Sequence, residues 1–175
     1  MIEVELRAKV DKHLITEKIK DIGATLKGST TEHDEYFKFS KDIERRLIMR
    51  IRSKEGKNKL TFKGSSKLPE DVAWQEWETS ITDEKNLKNL LLSNGLEIVV
   101  IIDKKRISYK YEDFEINVDE IKNLGMFIEV ELMTYDAADG KRRVKEFLFN
   151  TLGIQETNII TKGYVPLMLD ALNKN

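Results

Sequence analysis

Strict two-residue alternation, apolar on one side and fully charged on the other, recurs in five short stretches of this chain. In Ile2-Glu3-Val4-Glu5-Leu6-Arg7-Ala8-Lys9-Val10 each odd position from 3 to 9 is charged and each even position is apolar. Residues 48–52 carry Arg50 and Arg52, and residues 74–80 carry Glu76 and Glu78. Residues 114–119 carry Glu115, Asn117 and Asp119, and residues 127–132 carry Glu129 and Glu131. A period of two is that of a β-strand, whose successive side chains point to opposite faces. On the pattern alone two readings stand. The charged faces are solvent faces of an antiparallel sheet, or they line the inside of one barrel. Sorting by sign favours the second: Glu-x-Glu occurs in three of these strands, whereas Arg50-x-Arg52 and Lys104-x-Arg106 are purely basic.

A chain of 175 residues with 40% hydrophobic and 35% charged content fits one globular domain spanning 1–175. Thirty basic residues against 31 acidic ones leave a formal net charge of −1. That balance predicts no general attraction to nucleic acid or to a membrane, so any electrostatic function must come from local segregation of charge. Cysteine is absent, which excludes disulfides, thiolate chemistry and cysteine metal sites. His13 and His33 are the only histidines, too few for a multi-histidine zinc site. A bound metal must therefore be held by carboxylates, which points to Mg2+ or Mn2+. No apolar run approaches the roughly 18 residues of a membrane span, and no signal-type stretch precedes the first strand. A cytoplasmic location is the expectation.

Three segments share one plan: a Glu-x-Glu strand, an Asp helix cap, an amphipathic helix and a Gly stop. They comprise Asp11 with Leu14, Ile15, Ile19 and Gly23, then Asp83 with Leu87, Leu90, Leu91 and Gly95. The third is Asp136 with Val144, Phe147, Leu148 and Gly153. Between them the pattern predicts a short strand at 36–39, a hairpin of 46–53 and 59–64, and a long strand at 98–110 turning tightly through Glu112 and Asp113. A loop at 65–71 carries Pro69, and residues 167–172 predict a short terminal helix behind Pro166. With about eight strands and three or four helices, the class is α+β with a largely antiparallel sheet. In a closed barrel the apolar faces would point outward, under the helices.

Glu3, Glu5, Glu129 and Glu131 form a carboxylate cluster if their strands are neighbours, and such a cluster is costly unless a cation neutralises it. Asp119 would add a ligand or orient one, and Glu76 and Glu78 form a further acidic pair. Arg7, Lys9, Arg50, Arg52, Lys63, Lys104 and Arg106 could together cradle phosphoryl groups, because Arg offers a bidentate fork and Lys a point charge. Trp74 and Trp77 read as outer-face packing, and His33 as a polar residue entering a strand. Lys63-Gly64-Ser65-Ser66 does not meet the phosphate-loop pattern.

Taken in order, these residues resemble the CYTH superfamily, the triphosphate tunnel metalloenzymes. The Glu-x-Glu-x-Lys hallmark reads Glu3-Val4-Glu5-Leu6-Arg7, with Arg in place of the usual Lys. Asp34-Glu35-Tyr36, Arg50-Ile51-Arg52 and Leu60-Thr61-Phe62-Lys63-Gly64 follow. Trp74-Gln75-Glu76-Trp77-Glu78 lacks the leading Arg of the family pattern. Lys104-Lys105-Arg106, Asp119 and Leu124-Gly125-Met126-Phe127-Ile128-Glu129-Val130-Glu131 complete the series, with Gly163-Tyr164 where a Ser-Tyr element is usual. The resemblance implies an eight-stranded antiparallel barrel around a charged tunnel. It also implies bases that bind a triphosphate-containing small molecule and acids that hold Mg2+ or Mn2+.

Within that family the chain is expected to hydrolyse inorganic triphosphate, with Glu3 and Glu5 as catalytic residues and Glu3, Glu5, Glu76, Glu78, Asp119, Glu129 and Glu131 as metal ligands. A class IV adenylyl cyclase is an alternative, weakened because the His-Phe pair those enzymes carry before the first Glu has no counterpart ahead of Glu3. Thiamine or nucleoside triphosphatase activity, or non-catalytic triphosphate binding, are the others; a homodimer stays open. Neutralising Glu5 or Glu129 is expected to abolish metal-dependent turnover at little cost in stability.

Overall fold

The alternating stretches all lie on strands of one antiparallel sheet. The computed structural model describes residues 1–39, 47–65 and 74–173, without the side chains at 39, 47, 48, 63–65 and 74–76. Strand β1 (Ile2–Lys9) buries Val4, Leu6 and Ala8 in an apolar core. Glu3, Glu5, Arg7 and Lys9 necessarily take the other face. A one-residue slip of β1 would drive those charges into the core, so the register is strongly specified.

The other strands are β2 (Thr25–Phe39), β3 (Leu47–Lys54), β4 (Lys57–Ser65), β5 (Trp74–Ile81), β6 (Leu96–Tyr111), β7 (Phe114–Ile121), β8 (Gly125–Thr134) and β9 (Ile159–Ile160). The sheet order is β5-β4-β3-β2-β6-β7-β8-β1-β9. The α+β antiparallel class stands, with nine strands among the described residues where about eight were expected. No hydrogen-bonded ladder among the described residues joins the two ends of this order. Of the loop predicted at 65–71, Ser65 instead ends β4 and the rest lies outside the described residues, as does the start of the hairpin at Arg46.

The largest departure from the sequence reading is β2. It was expected to begin near Tyr36, yet it runs for 15 residues from Thr25. Apolar–polar alternation is invisible there because Thr30, Glu32 and Asp34 on one face are as polar as Thr31, His33 and Glu35 on the other. The strand is imposed by β6, which pairs with it from Thr25↔Lys110 to Phe39↔Leu96.

The helices are α1 (Lys12–Asp21), α2 (Glu84–Ser93), α3 (Ala137–Glu146) and α4 (Tyr164–Leu172). The predicted caps form: Asp11 accepts from the backbone of His13 and Leu14, Asp83 from Asn86, and Asp136 from Ala138 and Asp139. The stop glycines Gly23, Gly95 and Gly153 all have positive φ, with Gly153 placed after a π-helical turn at Phe147–Thr151. Helices α1 and α3 and the π-helical turn after α3 cover the apolar face of β1, β7 and β8 through Ile15, Ile19, Val144 and Leu148. Helix α2 covers Met49, Ile51 and Leu96 with Leu87 and Leu91. A Cβ at Gly140 would meet Thr134 Cγ2 at 2.7 Å, which explains a glycine inside α3 despite its poor helix propensity.

Helix α4 differs. It packs Met168, Tyr164 and Leu167 against Val100, Ile102, Ile121 and Phe127. Ile102 pairs with Asp34, Ile121 with Lys104, and Phe127 with Asp119. Residues directly opposed across a ladder share a face, so α4 lies over the charged side of the sheet, not outside it with the other three helices.

Candidate active site

Register alone carries the charged face across the sheet. Glu5 opposes Glu131 and Arg7 opposes Glu129 between β1 and β8. Glu129 opposes Asn117 on β7, and Asp119 opposes Arg106 on β6. Lys104 opposes Glu32 on β2, and Asp34 and Tyr36 oppose Arg52 and Arg50 on β3. Arg50 then opposes Thr61 on β4, which opposes Glu78 on β5.

At the β1–β8 end the acids converge. Glu5, Glu129 and Glu131 each place a carboxylate oxygen within 4.8 Å of the others. Glu3 is exposed at the edge of this group and adds to the negative field on Glu131. Arg7 Nη2 lies 2.5 Å from both Glu5 Oε1 and Glu129 Oε1. Arg106 Nη2 reaches Glu129 Oε2 at 2.5 Å, and Asn117 Nδ2 donates to Glu131 Oε1 at 3.1 Å.

These neighbours separate the protonation of the two glutamates. Burial raises the Glu129 carboxyl, but Arg7, Arg106 and Lys104 outweigh it and hold it far below the usual carboxylate range. Burial, Glu129, Glu3 and Glu5 push Glu131 up to about 8 against the pull of Arg106. Glu131 therefore holds a proton far more readily than Glu129 in the metal-free protein.

The basic zone follows on β6 and β3, with the acids Glu32 and Asp34 of β2 between them, and each base is held by a buried polar partner. Arg106 donates Nε and Nη2 to Asp119 at 2.7 and 2.6 Å, and Tyr164 Oη of α4 donates to Asp119 Oδ2 at 3.0 Å. Arg52 donates Nε and Nη2 to Asp34, both at 2.7 Å, and its Nη1 lies 3.1 Å from Glu32 Oε2. Lys104 Nζ lies 3.1 Å from the same Glu32 oxygen. Burial opposes the Glu32 charge, yet Lys104, Arg52 and Arg106 lower its pKa to about 2. Lys104 is lowered, by burial first and then by Arg106, despite Asp119 and Glu32. Arg50 is buried and donates to Thr61 Oγ1 at 3.1 Å. These pairs fix the guanidinium planes before any ligand arrives.

The structure brings Glu5, Glu129 and Glu131 into one group and Arg7, Arg50, Arg52, Lys104 and Arg106 onto the same face. It does not bring every sequence candidate to the acid group. Asp119 accepts from Arg106 and Tyr164 and lies outside that group. Glu78 lies toward the far edge, paired with Lys59. Lys9 is exposed at the end of β1. Lys63 and Glu76 are register partners, and their side chains lie outside the described residues, as does that of Trp74. Trp77 opposes Phe62, which packs in the outer core, and is 58% exposed. His33 sits within β2, its Nδ1 2.6 Å from Asp103 Oδ1.

Glu32 was missed because its strand was missed; Glu32-x-Asp34-x-Tyr36 was the available signal. Tyr164 carried no signal of its own beyond the family pattern. Its place beside Asp119 depends on α4 folding over the charged face.

The CYTH domain matches residues 1–164 of this chain. The chain belongs to the CYTH family. A Methanocaldococcus jannaschii protein, whose name makes it provisionally an adenylate cyclase, is 31% identical over 172 residues, covering 95% of this chain and 98% of that one. A solved Pyrococcus horikoshii protein has the same fold, with a TM-score of 0.83 at 23% identity over 94% of this chain and 98% of that one. So does a Hippeastrum adenylyl cyclase-like protein described as having a dominant triphosphatase activity, at a TM-score of 0.66 and 17% identity, over 93% of this chain and 90% of that one. This CYTH chain is thus similar both to a protein named for cyclase activity and to one described by its triphosphatase activity.

Proposed function

We propose that this CYTH protein is a divalent-metal-dependent triphosphatase that converts inorganic triphosphate to diphosphate and phosphate. The observation that carries this reading is the zoning of one sheet face: an acid group of Glu5, Glu129 and Glu131 abuts a run of oriented bases from Arg106 through Lys104 to Arg52 and Arg50. All-oxygen, anionic donors fit Mg2+ or Mn2+, and the partly water-accessible Glu5 and Glu131 leave coordination positions for water and phosphate. A cation there supplies Lewis-acid polarisation of a phosphoryl oxygen and lowers the pKa of a water.

The chain supplies the remaining parts. Arg106, Lys104, Arg52 and Arg50 neutralise charge on the phosphoryl chain, and the buried Asp119, Glu32 and Asp34 prevent the first three of those bases from reorienting during the reaction. In this reading Glu3, which is exposed, and Glu5, which is partly water-accessible, accept the proton of the attacking water. Because these groups recognise phosphates, they support hydrolysis without nucleoside contacts. A cyclase must also hold the ribose 3′-hydroxyl in line with the α-phosphorus.

The name of the Methanocaldococcus relative favours a second reading, conversion of ATP to cyclic AMP. Product analysis with ATP and with inorganic triphosphate under the same metal separates them. Phosphate release from triphosphate at the higher specificity constant is expected. Cyclic AMP as the main product would overturn the triphosphatase reading. Arg52→Ala is expected to weaken triphosphate binding about 10–150-fold, since a charge-assisted contact contributes about 1.5–3 kcal/mol. Calorimetry should show a smaller loss for monophosphate; equal losses would mean that Arg52 acts through general charge alone.

A further inference from the structure

The Arg7 guanidinium is bound to the acid group. Its Nη2 contacts Glu5 and Glu129 at 2.5 Å each, and its Nε is 3.0 Å from Glu129 Oε1. These are two of the three carboxylates in the group. Arg7 also has a second set of neighbours. Its guanidinium carbon lies 4.9 Å from the centre of the Tyr164 ring, and Nη1 is 3.5 Å from the Lys162 carbonyl oxygen at the approach to α4. While bound to the acids, the guanidinium thus already lies over an aromatic face, an arrangement that stabilises a cation.

Resting on the metal-site reading above, we propose that Arg7 is an internal competitor for the divalent cation. Its fork bridges Glu5 and Glu129 in the metal-free protein and must release them when the cation enters. Two positive groups cannot share those oxygens without strong repulsion in a partly buried site. Metal affinity is then the difference between cation–carboxylate and Arg7–carboxylate attraction. A phosphate oxygen that accepts from Arg7 would free the two acids, so triphosphate and metal would bind with positive linkage. Nη2 alone bridges the two acids while Nε adds a second donor to Glu129, so a lysine here would keep a bridging charge but lose that second donor.

The test is Mn2+ binding alone, without substrate, followed by electron paramagnetic resonance. Arg7→Met keeps much of the stem and removes the charge; Arg7→Lys keeps the charge and removes the fork. Mn2+ binding is expected to tighten about tenfold or more in Arg7→Met and by less in Arg7→Lys. Lys9→Met removes the same charge from the exposed end of β1 and measures the general electrostatic effect. Equal tightening in Arg7→Met and Lys9→Met, or no tightening in either Arg7 variant, overturns the competitor role. Glu131→Gln in the wild-type background locates the ion. Weaker Mn2+ binding there, with no Arg7 effect, keeps the metal site and removes only the competition. Unchanged binding in Glu131→Gln removes the ion from this group and overturns both.

Discussion

Replacing Glu129 by glutamine is expected to lower the melting temperature of the metal-free protein by about 6–20 °C. Glu129 is 4% exposed and accepts hydrogen bonds from both Arg7 and Arg106. Those guanidinia were desolvated on folding, and Glu129 offsets part of that cost. Removing one partner of a buried ion pair costs about 3–5 kcal/mol because the other charge stays buried. For a chain of this size each kcal/mol moves the transition by about 2–4 °C. This replaces the sequence-based expectation that neutralising Glu129 is nearly free. That expectation suits Glu5 better, since Arg7 keeps Glu129 when Glu5 is lost. Calorimetric scans with a chelator at pH 7 check the point; a drop below about 2 °C would mean that Asp119 and Glu5 satisfy both arginines unaided.

Glu131→Gln, two residues along the same strand, is expected to act in the opposite direction. Its folded-state pKa of about 8 lies above the ordinary value of 4.5. Between those values the folded protein retains a proton that the unfolded chain has released. Stability therefore falls as pH rises through this window, and the penalty is complete above about pH 8. Glutamine carries no such penalty. In chelator, Glu131→Gln should melt about 4–8 °C above the wild type at pH 8.5, corresponding to about 2 kcal/mol, with the difference vanishing toward pH 5. The same variant should lose about 100-fold or more in metal-dependent turnover if its carboxylate holds the ion. A variant that melts at the wild-type temperature at both pH values would place Glu131 in a better solvated site. Wild-type turnover at ordinary metal concentrations would remove it from the ligand set.

The contrast between these two glutamates was not legible in Glu129-x-Glu131. Both share a strand and a face, and nothing local distinguishes them. Their environments differ because β1 sets Arg7 against Glu129 but Glu5 against Glu131. Arg106 adds a short contact to Glu129 and only a 3.9 Å approach to Glu131. Electrostatic roles follow cross-strand pairing, which here joins residues from opposite ends of the chain.

What the sequence determined by itself is everything governed by near neighbours. Alternation set which residues of β1, β7 and β8 share a face. Asp11, Asp83 and Asp136 started helices, and glycines at 23, 95 and 153 stopped the segments that followed, because capping and positive φ are local physics. The ordered motifs also carried the family. Only the tertiary structure decided which charges meet. It made a 15-residue strand of the doubly polar segment at 25–39, bringing Glu32 to Lys104 and Arg52. It turned α4 onto the charged face and so placed Tyr164 against Asp119 and Arg7. It also divided the predicted acids, sending Glu78 to Lys59 and Asp119 to Arg106 while gathering Glu5, Glu129 and Glu131. The physical reason is that a carboxylate becomes a ligand, a clamp or a solvated charge according to the cations and the burial around it. Those are fixed by strand order and register, which no single segment of the chain contains.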